Sequence, residues 1–140
     1  YQFIGQYVGA VRDEVDGHKV YTLWDIYPHA HMITYPSVYE GFGNALIETV
    51  YFRKPFIVHC YGAYLSDIAP AGIRAVEFWH DLTDDVLDQV RELIDNPALR
   101  EEMTEHNYRV GLEHFSFQVL RRTLKQVLNS FNTKTQYVAL

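Results

Sequence analysis

Apolar residues along the chain fall first into short unbroken runs and later into a helical period. Ile73 to Phe78 reads as the last strand, and Met32 to Tyr35 and Phe56 to Cys60 are near-continuous apolar runs. Such runs predict strands buried on both faces, the habit of a parallel sheet. Between the two runs, Asn44 to Lys54 repeats helically, with Leu46, Ile47, Val50 and Tyr51 on one face. Pro55 is expected to end that helix, because the residue before a proline is pushed out of the helical region. The result is strand, turn, helix, strand: a βαβ unit. Upstream, Gln2 to Gly5 predicts a short strand, extendable through Val8. Residues 9–19 read as a loop, with Asp16-Gly17 as a hairpin turn between Ala10–Val15 and Lys19–Leu23. Tyr21 to His29 predicts a helix with Pro28 near its end.

Tyr61 to Gly72 connects the last two strands, with a helical turn at Tyr64 to Ile68. From Thr83 the pattern is helical. Thr83 is a good N-cap, Asp84 and Asp85 suit a helix start, and Val86, Leu87, Val90, Leu93 and Ile94 make the buried stripe. Asn96-Pro97 opens a second helix, to about His114, and Ser116 a third, Phe117 to Phe131. The fold class is α/β, one domain over residues 1–131, with a frayed tail expected at 132–140.

Charge and cysteine content narrow the partners. The net charge of −6 argues against nucleic acid or an anionic membrane. Cys60 is the only cysteine, which excludes an intrachain disulfide and fits a reducing, cytoplasmic setting. No apolar run is long enough for a transmembrane helix, and no signal peptide opens the chain. The start at Tyr1 rather than Met is expected of a piece of a longer protein. The seven histidines show no metal spacing, and no G-x-S-x-G elbow offers a serine nucleophile. The tyrosines read as packing residues, Tyr39 beside Glu40 being the exception to watch.

The turn after the first run carries chemistry. It reads Glu40, Gly41, Phe42, Gly43, Asn44, Ala45, Leu46, and the helix continues to Glu48. Glycines let the backbone bend and a ligand approach, and the first helical amides form an anion site. If helical throughout, the eight steps from Glu40 to Glu48 rise roughly 12 Å and leave the two carboxylates roughly 80° apart. That span suits a ligand with hydroxyls at both ends and phosphates between, such as a nucleotide sugar. The spacing fits an ordinary helix start with an acidic first turn equally well.

The E-x(7)-E pair inside P-S-x-Y-E-G-F-G-N-A-L-I-E resembles the donor-site motif of retaining glycosyltransferases of the GT-B fold, family four (group 1). Tyr21 to Ala30, Lys54 to Val58 and Phe115-Ser116-Phe117 extend the resemblance over roughly residues 1–131. The wording of the motif is similar to members acting on small solutes such as glycosylglycerates. The resemblance implies a partial Rossmann-like sheet, the C-terminal half of a GT-B domain, followed by helices. It assigns Glu40 to the hydroxyls of the donor sugar, Glu48 to the nucleotide ribose, and the amides of Gly41 to Leu46 to the sugar and diphosphate. It implies retention of anomeric configuration, with no cofactor and no metal. It also puts an acidic residue at Asp67, where a helix cap is the plainer reading.

The sequence departs from that family in two respects. His31 stands where an Asp is usual. The N-terminal acceptor domain, and the two βα units bearing the diphosphate-binding cations, are missing; Val20 to Phe52 holds no Lys or Arg. The isolated chain is therefore expected to be inactive, and the alternative is a free-standing non-catalytic fragment serving as an interaction or assembly module. In the resembling fold the strand order is 3-2-1-4-5-6, and the strands here match the third to the sixth. Either the strand near Phe3 pairs with Met32–Tyr35, or that run is an open edge inviting a second chain. A homodimer through that edge, exchanging the segment before about Tyr21, is the expected assembly.

Overall fold

In the computed structural model, which describes residues 2–136, the first regular element is an antiparallel hairpin of β1 (Asp13–Val15) and β2 (His18–Val20). Asp16 and Gly17 both take positive φ, 51° and 75°, which matches a two-residue turn to the twist of its strands. The strand expected near Phe3 does not form. Residues Gly5–Tyr7 make a 3₁₀ turn instead, and the amides of Tyr7 and Val8 turn back to the carbonyls of Ile4 and Gly5. Those donors are then lost to a ladder, and only a single bridge, Val8 to Tyr21, remains.

Helix α1 (Leu23–Ile26) follows, running into a 3₁₀ turn at Tyr27–His29. Asp25 closes its first turn by accepting from the Thr22 amide at 3.0 Å and the Thr22 hydroxyl at 2.8 Å. Arg12 pairs with the same carboxylate and holds its pKa well below the usual range.

The main sheet follows the apolar runs. Strands β3 (Ile33–Tyr35), β4 (Phe56–His59) and β5 (Val76–Phe78) are parallel in the order β3-β4-β5, with helix α2 (Asn44–Tyr51) crossing between the first two. β4 is the central strand, and the period of two sorts its side chains. Phe56, Val58 and Cys60 pack with Leu46 and Val50 of α2 on one face. Ile57 packs on the other with Val76, Val86, Leu93 and Met103. β3 is an edge strand, and the N-terminal segment does not pair with it.

Helix α2 stops three residues before Lys54, and Pro55 is not what stops it. The amide of Lys54 donates to Thr49 and that of Arg53 to Val50, the paired closure that ends many helices. Glycine usually occupies the left-handed position in this closure. Here Arg53 does, at φ 51°, with its guanidinium 3.6 Å from the centre of the Tyr108 ring and paired to Glu105.

The C-terminal half matches its caps. Helix α3 (Asp84–Asp95) begins at Thr83 and helix α4 (Pro97–Phe115) at Asn96, whose side chain accepts from the Leu99 amide at 3.1 Å. Helix α5 (Phe117–Gln136) runs beyond the expected Phe131, and residues 137–140 of the expected tail lie outside the described residues. Its apolar stripe of Leu120, Leu124 and Leu128 is more than half exposed. No helix among the described residues is long and apolar enough to cross a membrane.

Candidate functional site

Parallel sheets bind ligands beyond the carboxyl ends of their strands. At that end of β3 the loop from Pro36 to Gly43 leads into α2. Gly43 is its pivot. The residue has φ 103° and is buried, and a Cβ built on it would lie 2.2 Å from the Tyr61 hydroxyl. Only glycine satisfies both the dihedral and the space. Gly41 differs: it is exposed, outside the left-handed region, and a Cβ there meets nothing within 4 Å.

Three tyrosines brace this loop, and the sequence reading had left all three as ordinary packing. The Tyr61 hydroxyl donates to the Phe42 carbonyl at 3.1 Å, from a ring only 2% exposed. Tyr35 lies beside it, with ring centres 5.9 Å apart. Tyr27, at the end of α1, reaches the opposite side of α2, its hydroxyl 3.2 Å from the Ala45 carbonyl and 3.3 Å from Glu48 Oε2. Phe42 turns inward against Phe115, so the loop is tied to α4 as well.

Helical geometry does not relate Glu40 to Glu48. The helix begins only at Asn44, so half of the eight steps are loop and the roughly 12 Å, 80° relation fails. The Tyr35 phenol pKa is raised, first by burial and then by the negative charges of Glu40 and Glu48. The Tyr61 phenol is pushed up to about 12, by burial first and then by Tyr35 and Glu40.

The remaining members of the motif divide by exposure. Glu40, Phe42, Ala45 and Glu48 are half-buried, Asn44 is exposed, and Leu46 is fully buried. The Leu46 amide is already bonded to the Gly43 carbonyl at 2.9 Å. In the first turn this leaves the amides of Asn44 and Ala45 without an intrahelical acceptor. Tyr39 is 88% exposed beside Glu40. Asp67 sits exposed within a π-helical turn, Tyr64–Ile68, and caps nothing. His31 is exposed at the entry to β3.

Two further features lie at the same end of the sheet. The Tyr64 hydroxyl, fully buried, donates to Glu77 Oε1 at 2.6 Å. His59, at the end of β4, packs its ring edge-on to Phe78, and its Nδ1 is buried without a hydrogen bond. Among the described residues no group of three or more His, Cys, Asp or Glu side chains is placed to hold a metal ion. The cations that follow α2 lie at its far end from the loop and are engaged there: Lys54 Nζ donates to the Pro28 carbonyl at 2.8 Å and Arg53 sits on Tyr108.

A parallel α/β sheet with a glycine-pivoted loop at its strand ends, followed by helices, defines a domain of the Rossmann-like class, here in partial form. Residues 15–110 match the family model of glycosyl transferases group 1, and the chain belongs to that family. It is 32% identical over 117 residues to the mannosylglucosylglycerate synthase of Thermotoga maritima, covering 74% of this chain and 27% of that protein. It is 38% identical over 69 residues to the mannosylglucosylglycerate synthase of Petrotoga mobilis, covering 48% of this chain and 16% of that protein. The chain thus spans about a quarter of the longer-matched relative or less. No solved structure matches it.

Proposed function

We propose that the chain is the donor-binding part of a retaining glycosyltransferase that uses a nucleotide-diphosphate sugar. In this reading Glu40 takes the hydroxyls of the donor sugar and Glu48 the ribose. Open amides at the start of α2, with the backbone of Gly41 to Gly43, meet the sugar and diphosphate. The observation that carries it is the loop pivoted on Gly43 beyond the end of a parallel strand, which opens α2 with Glu40 before it and Glu48 within it, both half-buried. The names of the two relatives suggest mannosyl transfer to a small glycosylated acid; on this reading a separate domain holds the acceptor. The setting is cytoplasmic, where a free buried Cys60 stays reduced. Transfer draws on no metal, so chelator should leave nucleotide affinity unchanged.

The Glu48 assignment is tested by calorimetry with free nucleoside diphosphates. In the full-length enzyme, Glu48→Ala should weaken binding by roughly 1–3 kcal/mol, the loss expected of a hydrogen bond to a charged group. Unchanged affinity removes Glu48 from the site. We also propose a homodimer through the β3 edge, since β3 pairs only with β4. A strictly monomeric mass by light scattering at micromolar concentration removes that assembly.

A further inference from the structure

Glu48 reaches the site from a half-buried position on α2, and a glutamate side chain there has three torsions to fix. One of its oxygens is already held. The Tyr27 hydroxyl lies 3.3 Å from Oε2 and 3.2 Å from the Ala45 carbonyl, so one phenolic proton faces two acceptors. The Ala45 carbonyl has another donor, the Thr49 hydroxyl at 2.9 Å. Glu48 Oε2 is therefore the acceptor that gains most from the Tyr27 proton.

The Tyr27 ring is fixed independently of any ligand. It is 8% exposed and stacks on Phe52 with centres 4.8 Å apart and planes 8° from parallel. Phe52 is the C-cap of α2, and its amide donates to the Glu48 carbonyl at 2.9 Å. The next residue, Pro28, is anchored through its carbonyl to Lys54. The phenol and the helix that carries Glu48 thus form one packed unit.

We propose that Tyr27 is a positioning residue: it fixes Glu48 Oε2 and leaves Oε1 to take the hydroxyls of the nucleoside. This rests on the donor-site reading above. Pre-setting the carboxylate spares a ligand the cost of ordering it. The sequence motif stops short of this residue, because Tyr27 precedes Glu48 by 21 positions and joins it only in the fold.

The test is a calorimetric titration, with GDP and with UDP, of the full-length enzyme that carries this chain. Tyr27→Phe keeps the stack and removes the hydroxyl, and it should weaken the preferred nucleotide roughly 3–10-fold, as for one net hydrogen bond. Glu48→Gln should also weaken it. The double variant should bind no more weakly than Glu48→Gln alone. Wild-type affinity in Tyr27→Phe, with Glu48→Gln impaired, overturns the positioning role and leaves the donor site standing. Additive losses overturn it too, because Tyr27 would then act apart from Glu48. Absence of binding by the unaltered enzyme removes the donor-site reading itself and this role with it. Should Tyr27→Phe fail to fold, the ¹³Cζ signal of Tyr27 in Glu48→Gln gives an independent readout. It moves if the phenol bonds the carboxylate, and an unmoved signal overturns the proposal.

Discussion

Replacing Gly43 by alanine should destabilise the chain by roughly 2–4 kcal/mol, and the cost should depend on one distant hydroxyl. Two terms make it up. A side chain at φ 103° is strained by about 1–3 kcal/mol. The new methyl would also sit 2.2 Å from the Tyr61 hydroxyl, so the phenol must leave the Phe42 carbonyl that it now meets at 3.1 Å. Losing that buried bond costs about 1 kcal/mol or more. The second term vanishes if the hydroxyl is absent beforehand, since the next nearest tyrosine atom, Cζ, lies 3.3 Å away and needs little adjustment. Gly43→Ala made in a Tyr61→Phe background should therefore cost about 1–2 kcal/mol less than in the native chain. Urea unfolding of the four proteins measures this directly. At a slope of about 2 kcal/mol per molar, the single variant shifts the midpoint by roughly 1–2 M. Strict additivity of the two substitutions would refute the claim that the glycine is required by the phenol.

Three further outcomes are expected. The purified chain, assayed against a panel of nucleotide sugars for transfer and donor hydrolysis, should show no turnover; robust turnover would mean that the cationic pair and acceptor domain are dispensable. Stability should fall as pH rises from about 10 to 12: the Tyr61 phenol, pushed up to about 12, keeps its proton in the fold where an unfolded tyrosine loses it. Tyr61→Phe should flatten that slope in urea midpoints taken at pH 9 and 11, and an unchanged slope would discount Tyr61 as its source. Leu46→Ala, at a fully buried position against β4, should cost about 2–5 kcal/mol by the same unfolding measurement, whereas a loss under 1 kcal/mol would show that the α2–sheet contact repacks freely.

The sequence was most informative where one residue type has one physical use. Thr83 and Asn96 cap helices as their side-chain chemistry dictates, and Asp16-Gly17 takes the two positive φ values that a tight hairpin needs. The apolar runs were legible as parallel strands because β4 is buried on both faces, leaving no alternation to confuse with a helix. Failure came where backbone donors had competing partners. Phe3 and Ile4 have strand-like side chains, yet the amides three to five residues on turn back into a 3₁₀ turn. Pro55 looked like a helix stop, but Arg53 took the left-handed position first, held by Tyr108 and Glu105. A cation over an aromatic ring from another helix leaves no local trace in the sequence.

The candidate site divides in the same way. Its loop could be placed from glycines and a proline, but the residues that hold the loop come from α1, β3 and the end of β4. Tyr27, Tyr35 and Tyr61 are only three of eleven tyrosines in the sequence, and nothing in their spacing distinguishes them from packing residues. Their placement follows from the fold: Tyr27 and Tyr61 each bring a hydroxyl to a backbone carbonyl, Tyr27 also to the Glu48 carboxylate, and the Tyr35 ring packs beside that of Tyr61.

Electrostatics then limit what this loop can do alone. A helix start offers roughly half of a positive elementary charge, and here Glu40 and Glu48 stand on either side of it. A diphosphate adds further negative charge beside Tyr35 and Tyr61, whose pKa values are raised by burial first and then by neighbouring negative groups. Lys54 and Arg53 do not relieve it, because they follow the C-terminal end of α2, away from the loop, and are held at Pro28 and over Tyr108. The hydroxyl-bearing ends of a nucleotide sugar suit carboxylates well, whereas its phosphates require cations from outside this segment. In the proposed donor site, the carboxylates would take the two ends of the donor and its charged middle would be left to cations of a partner domain. On that division of labour, donor binding and the assembly of the two domains are coupled.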